Sequence, residues 1–165
     1  MNKKGGIIIF ILILIIFAFI ALNYSRIDSF LGNVIYENDV VNVTRVVDGD
    51  TFEIETGEKI RKLGINTPQK NEVYYTEAKE YLKNRIEGKQ VVLRKGFEDK
   101  DRYNRSLRFV ILDGKNVNLE LIENGFANPY FPSKDKLYYT EFEDAWKKCV
   151  EENLNLCEIS KNVCS

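Results

Sequence analysis

Hydrophobic residues follow three different patterns along the chain, and each pattern predicts a different kind of element. Residues 7–22 contain no polar side chain, which predicts one continuous apolar helix. Between residues 41 and 65, apolar and polar positions alternate in short runs separated by turn residues, which predicts β-strands. Apolar positions then recur at three- and four-residue spacing in 74–86, 117–125 and 137–152, which predicts three helices.

Five short strands are predicted after the apolar segment, over residues 41–47, 51–56, 59–65, 89–95 and 106–112. The first three follow one another closely enough to form an antiparallel meander. Five strands with a helix after the third are typical of a small closed barrel of the OB type. The predicted fold class is therefore α+β, mainly β: a five-stranded OB-type β-barrel with about three helices, preceded by one transmembrane helix.

The apolar segment has the length of a membrane anchor. With Gly5 and Gly6 it spans about 27 Å as a helix, against a bilayer core of roughly 30 Å. Lys3 and Lys4 precede it, so the positive-inside rule places the N-terminus in the cytoplasm and the following domain outside. A cleaved signal peptide is the alternative, although Phe19, two residues before Ala21, gives no good small-x-small cleavage site. Both alternatives export the domain.

Five regions are predicted along the chain. They are a short cytoplasmic N-terminus (1–6), the transmembrane anchor (7–22), a tether (23–40), the OB-type domain (41–157) and a Cys-containing tail (158–165). The localisation expected from this order is a single-pass cell-membrane protein with an extracellular C-terminal domain, or a secreted protein if the first segment is cleaved.

Charge and composition narrow the chemistry that the exported part can perform. Two of the 24 Lys and Arg residues and none of the 25 acidic residues precede position 23, so the exported part has a net charge of −3. A broad basic surface for non-specific nucleic-acid binding is therefore absent from the sequence. The chain has no histidine, which excludes Ser-His and Cys-His nucleophile pairs and His-ligated zinc. Carboxylate, Lys, Tyr and Arg groups remain, together with hard cations held by oxygen ligands.

The three cysteines, Cys149, Cys157 and Cys164, all lie near the C-terminus. One disulfide bond can form and leave one thiol. A Cys157–Cys164 bond would close a short tail loop, and a Cys149–Cys157 bond would tie a helix end to the tail. Their spacing fits no zinc-binding pattern.

Three segments are candidates for chemistry. VVDGDTF (46–52) offers a carboxylate pair for a hard cation, IRKLGINT (60–67) places an arginine inside an apolar strand, and DRYNR (101–105) is a basic loop with an aromatic residue. Singly, each also fits an ordinary turn or surface. Together, Arg61 and Arg105 can clamp one phosphodiester, Asp50 can hold a cation beside it, and Tyr103 can stack on a base. This combination predicts in-line phosphodiester hydrolysis without histidine.

The same segments, in the same order, resemble the thermonuclease (staphylococcal nuclease) family. The resemblance covers roughly residues 41–157 and rests on VVDGDTF, IRKLGINTPQ, DRYNRSLRFVILDGKNVNLELIENGFA and a final ENLNLC. Arg61 stands five residues before Asn66, as in the family pattern, and residues 101–105 resemble its D-K-Y-G-R sequence. In the final motif Cys157 replaces the family's tryptophan.

The resemblance implies an OB barrel with three helices and a calcium-dependent nuclease acting on DNA and RNA. It assigns the calcium ligands to Asp50, Asn66 and the Thr67 backbone carbonyl, and places Asp48 near the metal. It places Arg61, Gln69 and Arg105 at the catalytic positions. It gives substrate binding to Arg102, Tyr103 and Tyr130. The expected partners are single-stranded DNA or RNA and, through the N-terminal helix, the membrane. No protein partner is predicted.

Two departures from the family pattern fall in this site. Gln69 replaces a glutamate assigned as general base or as the group that orients the attacking water. An amide takes no proton at useful pH, and general acid–base catalysis contributes about 10²–10⁴-fold, so a large loss of activity is expected. Asn66 replaces an aspartate, which removes one negative charge from the cation site. Glu72, three residues after Gln69, is a candidate to supply the missing carboxylate.

Three interpretations of function remain open from the sequence. The first is an anchored, outward-facing calcium-dependent nuclease with reduced activity. The second is a catalytically inactive domain that binds nucleic acid or nucleotides, and the third is an exported structural OB domain. The four ordered motifs disfavour the third, and the first is supported by the presence of Asp50, Thr67, Arg61, Tyr103 and Arg105.

Overall fold

The computed structural model describes residues 9–10, 12–19, 21–24, 38–131 and 137–163. The chain divides into two compact units, Met1–Glu37 and Asn38–Ser165. The described residues of the first unit are helical. No helix among the described residues is both long enough and apolar enough to cross a membrane. Part of the predicted anchor and most of the predicted tether lie outside the described residues, so the anchor stays a prediction.

The second unit contains eight strands and four helices within its described residues. The strands are β1 Asn38–Val46, β2 Thr51–Ile54, β3 Lys59–Lys62, β4 Ile65–Asn66, β5 Gln90–Lys100, β6 Ser106–Leu112, β7 Lys115–Asn116 and β8 Asn128–Pro129; the helices are α1 Tyr75–Ile86, α2 Val117–Glu123, α3 Tyr139–Glu152 and α4 Leu156–Val163.

Five of these strands close into a barrel. They are hydrogen-bonded in the order β3-β2-β1-β5-β6, and parallel pairing between β3 and β6 closes the ring. The short strand β7 continues the sheet beyond β6, while β4 and β8 form a separate pair. The predicted closed five-stranded barrel, mainly β and of OB type, is therefore confirmed. The structure has four helices in this unit rather than about three.

Apolar side chains that alternate along the strands fill the barrel. Phe52, Ile60 and Phe109 are almost fully buried, and each contributes about 1.5–3 kcal/mol by leaving water. Helix α1 packs Ala78, Leu82 and Ile86 into the core, at the spacing of one helix face, and α2 adds Val117, Leu121 and Ile122. The core therefore gives the loops at the barrel ends a rigid support.

Two strand boundaries differ from the sequence prediction because tertiary pairing extends the strands. Strand β1 begins at Asn38, which pairs with Arg94, so the last residues of the predicted tether belong to the barrel. Strand β5 continues to Lys100, five residues beyond the predicted end at residue 95. A register shift between Lys95 and Lys100 places a bulge in this hairpin, and residues 97–100 are exposed, so the strand needs no apolar alternation there.

The predicted strand 59–65 is broken in the structure at Gly64. This residue has a φ of 73°, and a Cβ atom there would lie 2.8 Å from the Phe142 ring and 3.1 Å from the Phe131 ring. Only glycine suits both this left-handed conformation and the close approach. The chain therefore turns after β3 and enters β4, which ends at the loop that carries the candidate site.

A disulfide bond between Cys149 and Cys157 joins α3 to the beginning of α4. It selects one of the pairings left open by the sequence, and Cys164 lies outside the described residues. The predicted tail is thus largely helix α4. The Leu156 N–H donates to the Gly125 carbonyl at 3.0 Å, and the Asn155 side chain donates to Asn124 at 2.8 Å. These bonds hold the start of α4 beside the end of α2.

Candidate active site

A cleft of about 600 Å³ opens beside the seam where β3 meets β6. Nine of the ten residues predicted for the site line it: Asp48, Asp50, Arg61, Asn66, Gln69, Arg102, Tyr103, Arg105 and Tyr130. The tenth, Thr67, donates its hydroxyl to Asp50 at 3.2 Å from the neighbouring side of the loop. The structure therefore brings together residues from four separate segments of the sequence. Their individual roles stay predictions.

Arg61 and Asp50 form an ion pair at the base of the cleft. Arg61 Nη2 lies 3.0 Å from Asp50 Oδ2, and the two side chains are 12% and 5% exposed. The same guanidinium donates to the Asn66 side-chain oxygen at 2.6 Å and to the backbone carbonyls of Lys62 and Ile65. Burial lowers the pKa of Arg61, and the nearby carboxylate of Asp50 opposes that shift. The guanidinium is therefore held in one orientation before any substrate binds.

The turn between β1 and β2 places two carboxylates in the cleft. Asp48 Oδ1 accepts a hydrogen bond from the Asp50 N–H at 3.1 Å, and Asp50 Oδ1 accepts one from the Thr51 hydroxyl at 2.8 Å. A Cβ atom on Gly49 would lie 2.8 Å from the Thr67 side chain, so a glycine is needed between the two aspartates. Burial raises the pKa of Asp48, and the negative charge of Asp50 raises it further.

The turn between β5 and β6 positions Arg105 in the cleft. The Asp101 carboxylate accepts the backbone N–H groups of Tyr103 at 2.9 Å and Arg105 at 3.0 Å, and also Arg105 Nε at 2.7 Å. Asn104 adopts a φ of 62°, which allows this tight turn. Burial acts to raise the pKa of Asp101, but these hydrogen bonds lower it on balance. Arg105 Nη1 then reaches the Thr51 hydroxyl at 3.3 Å, beside Asp50.

Two exposed aromatic rings line the cleft. Tyr103 and Tyr130 are 65% and 48% exposed. The Arg102 guanidinium lies 4.8 Å from the centre of the Tyr103 ring, and that of Arg105 lies 5.6 Å from it, so two cations help to position the ring. An exposed ring fixed in this way offers a stacking surface for a nucleic-acid base.

The amide of Gln69 is turned toward the backbone of its own loop. Gln69 Nε2 donates to the Thr67 carbonyl oxygen at 3.2 Å, and the Gln69 N–H donates to the Glu72 carboxylate at 2.6 Å. Glu72 lines a neighbouring cavity rather than the cleft. The structure therefore does not bring Glu72 to the position where a replacement carboxylate is needed.

The candidate cation ligands have the chemistry that calcium prefers, since all are oxygen atoms. They are the Asp50 carboxylate, the Asn66 amide oxygen and the Thr67 carbonyl oxygen. Arg61 contacts the first two of these, and Gln69 contacts the third. In the described ranges, no three His, Cys, Asp or Glu side chains form a group that could hold a metal ion. The donor set thus fits calcium in atom type and carries one negative charge from Asp50, with a second nearby at Asp48.

Sequence reasoning gave no site role to four charged residues that line the cleft: Lys62, Glu98, Lys100 and Asp101. Glu98 and Lys100 lie in the part of β5 beyond residue 95, where the predicted strand ends. The register shift in the β5–β6 hairpin could have been suspected only from the length of the charged stretch between the two strands. Charged residues show no alternation of apolar and polar positions from which a strand is recognised.

The barrel and the cleft together define a small OB-type protein with two arginines and a carboxylate at the barrel seam. The family model described as "Staphylococcal nuclease homologue" matches residues 59–158, and the chain belongs to this family.

Curated relatives agree with this assignment. The chain is 32% identical over 126 residues to the thermonuclease of Staphylococcus intermedius, covering 70% of this chain and 74% of that protein. It is 34% identical over 118 residues to an uncharacterized endonuclease of Haemophilus influenzae, covering 68% of this chain and 65% of that protein. It is 36% identical over 125 residues to Endonuclease YhcR of Bacillus subtilis, covering 62% of this chain but only 10% of that protein.

Proposed function

We propose that the barrel domain hydrolyses phosphodiester bonds in single-stranded DNA or RNA with the help of calcium. The observation that carries this proposal is the convergence of Arg61 and Arg105 on one cleft that also holds Asp50. The family supports it, as does the similarity to proteins named thermonuclease and endonuclease.

The two arginines act on the phosphate in this proposal. Arg61 is fixed by Asp50 and the β3–β4 backbone, and Arg105 is fixed by Asp101, so neither loses much side-chain freedom when it binds a phosphate oxygen. Asp50, Asn66 and the Thr67 carbonyl would hold calcium, which neutralises phosphate charge and lowers the pKa of a water molecule. Gln69 can orient water through a hydrogen bond but cannot take its proton. Turnover is therefore expected to be slow.

A second candidate function is nucleic-acid binding without cleavage. The contact between Gln69 Nε2 and the Thr67 carbonyl favours it, because an amide donor occupies the neighbourhood where the family pattern has a carboxylate. The phosphate-binding arginines are retained in both functions, so binding alone does not distinguish them.

Cleavage of a single-stranded oligonucleotide, followed in calcium and in chelator, tests the proposal. We expect slow, calcium-dependent cleavage by the full chain.

Arg105→Ala should weaken oligonucleotide binding by about ten- to a hundredfold, since it removes charge-assisted hydrogen bonds. Arg45→Ala is the matched control, because Arg45 is an exposed arginine that pairs with Glu53 and does not line the cleft. Binding without cleavage in calcium supports the second function, and absence of binding at low salt contradicts both.

We also propose that residues 7–22 anchor the chain in the cell membrane, with the barrel domain outside. The uninterrupted apolar run after Lys3 and Lys4 supports this, and the Cys149–Cys157 disulfide fits an oxidising compartment outside the cytoplasm. Deleting residues 7–22 should move the protein from the membrane fraction to the soluble fraction, measured after a high-pH wash. Recovery of the full chain as secreted protein cut after residue 22 would instead support a cleaved signal peptide.

A further inference from the structure

A second cavity, of about 490 Å³, lies on the other side of the loop that carries Gln69. Asn66 and Gln69 line both this cavity and the cleft, so the two spaces adjoin at this loop. The remaining walls come from the loop that precedes α1, from β8 and from α4. Those residues are Thr67, Pro68, Glu72, Val73, Asn128, Leu156 and Ile159.

The walls of the second cavity combine apolar surface, amide groups and one carboxylate, that of Glu72, which accepts the Gln69 N–H at 2.6 Å. Val73 and Ile159 are 63% and 41% exposed, although both are apolar and both face a concave surface. Asn128 and Gln69 add amide donors and acceptors. Apolar surface with a few amide groups suits a nucleic-acid base, whose faces stack and whose edges form hydrogen bonds.

The wall formed by α4 is held in place before any ligand binds. The disulfide from Cys149 to Cys157 and the bond from Leu156 N–H to the Gly125 carbonyl fix the first turn of the helix. Ile159 lies in the same first turn. The cavity is thus preformed, which lowers the entropic cost of binding.

A polymer substrate needs binding surface on both sides of the bond that is cut. The cleft provides surface for one nucleoside, at Tyr103 and Tyr130, beyond the phosphate-binding arginines. The second cavity begins on the other side of Asn66 and Gln69, so a strand whose phosphate lies at Arg61 can continue into it.

We propose that the second cavity is a subsite for the nucleoside on the far side of the scissile phosphate from Tyr103. The base stacks on the apolar wall of Val73 and Ile159, and the amides of Asn128 and Gln69 contact its edge or the sugar. This subsite rests on the proposed function, since it assumes that a nucleic-acid strand binds in the cleft. It extends the substrate contacts beyond the arginine clamp.

Affinities for a short and a long ligand test the subsite. The full chain in detergent micelles is titrated, in calcium, with deoxyadenosine 5′-monophosphate and with a fluorescent phosphorothioate octamer of deoxyadenosine. We expect Val73→Asp to weaken octamer binding by about ten- to a hundredfold, as loss of one stacked base implies, and to change mononucleotide binding less than twofold. Ile159→Ser, which adds no charge, should also weaken octamer binding selectively.

Val40→Asp is the matched control, because Val40 is 59% exposed on β1 and lines neither cavity. It should leave both affinities unchanged, while Arg105→Ala should weaken both. Equal weakening of both ligands by Val73→Asp and Ile159→Ser, or no effect on the octamer, overturns the subsite while the proposed function stands. If the wild-type chain binds neither ligand, the proposed function and the subsite fail together.

Discussion

Replacing Gln69 by glutamate is expected to raise the rate of calcium-dependent cleavage by about a hundredfold or more. The Gln69 amide now donates to the Thr67 carbonyl at 3.2 Å, and a carboxylate cannot make that bond. The carboxylate would instead be repelled by the carbonyl oxygen and remain in the cleft that Gln69 lines, where it can take a proton from water. The measurement is the initial cleavage rate of a single-stranded oligonucleotide in calcium.

Two control variants separate this chemistry from simple changes of charge or shape. Gln69→Ala removes the amide without adding a base, and Gln90→Glu makes the same chemical change at an exposed position that does not line the cleft. Neither should accelerate cleavage. If Gln69→Glu is no faster than Gln69→Ala, the missing carboxylate is not what limits this protein.

Replacing Lys62 by methionine is expected to stabilise the fold by about 1–3 kcal/mol near neutral pH. Lys62 is 1% exposed, and its Nζ has no hydrogen-bond partner within the described part of the chain. Methionine keeps the length of the side chain and removes the polar atom. Urea unfolding followed by circular dichroism measures the difference. Lys59→Met, an exposed lysine on the same strand, is the matched control and should have little effect.

The gain from Lys62→Met should depend on pH. Burial lowers the pKa of Lys62 well below its ordinary value of 10.5. Between the lowered pKa and 10.5 the unfolded chain binds a proton that the folded chain does not, so the stability of the wild-type protein rises with pH in that range. The advantage of the methionine variant should therefore shrink as pH approaches 10.5. A gain that is constant with pH, or a loss of stability, would show that Lys62 has a partner in the folded protein.

The cleft is predictable because its residues belong to short motifs whose internal spacing is visible in the sequence. Asp50 follows a strand of β-branched residues, and the turn at Asp101–Arg105 is stabilised locally by one carboxylate. Arg61 sits five residues before Asn66, which is the span that its guanidinium bridges in the structure. Once the strand order of an OB barrel is assumed, these motifs meet at one place.

Features that depend on contacts distant in sequence were not predictable. The end of β5 is decided by pairing of Lys100 with Ser106, and the break at Gly64 by the approach of Phe131 and Phe142. Lys62 follows Ile60 at the inward-facing spacing, but lysine is almost never fully buried, so nothing local in the sequence predicts its burial. The disulfide pairing was undecided because the sequence does not show which two of the three cysteines lie close together in the fold.

The parallel seam between β3 and β6 also makes the assembly of the site depend on closure of the barrel. The register that pairs Arg61 with Leu107 is what sets Arg61 beside Arg105, although 44 positions separate the two arginines in the sequence. A chain in which β3 and β6 have not yet paired has both arginines but not the cleft that they share. Under the proposed function, the chain therefore binds phosphates through this pair of arginines only after the barrel has closed.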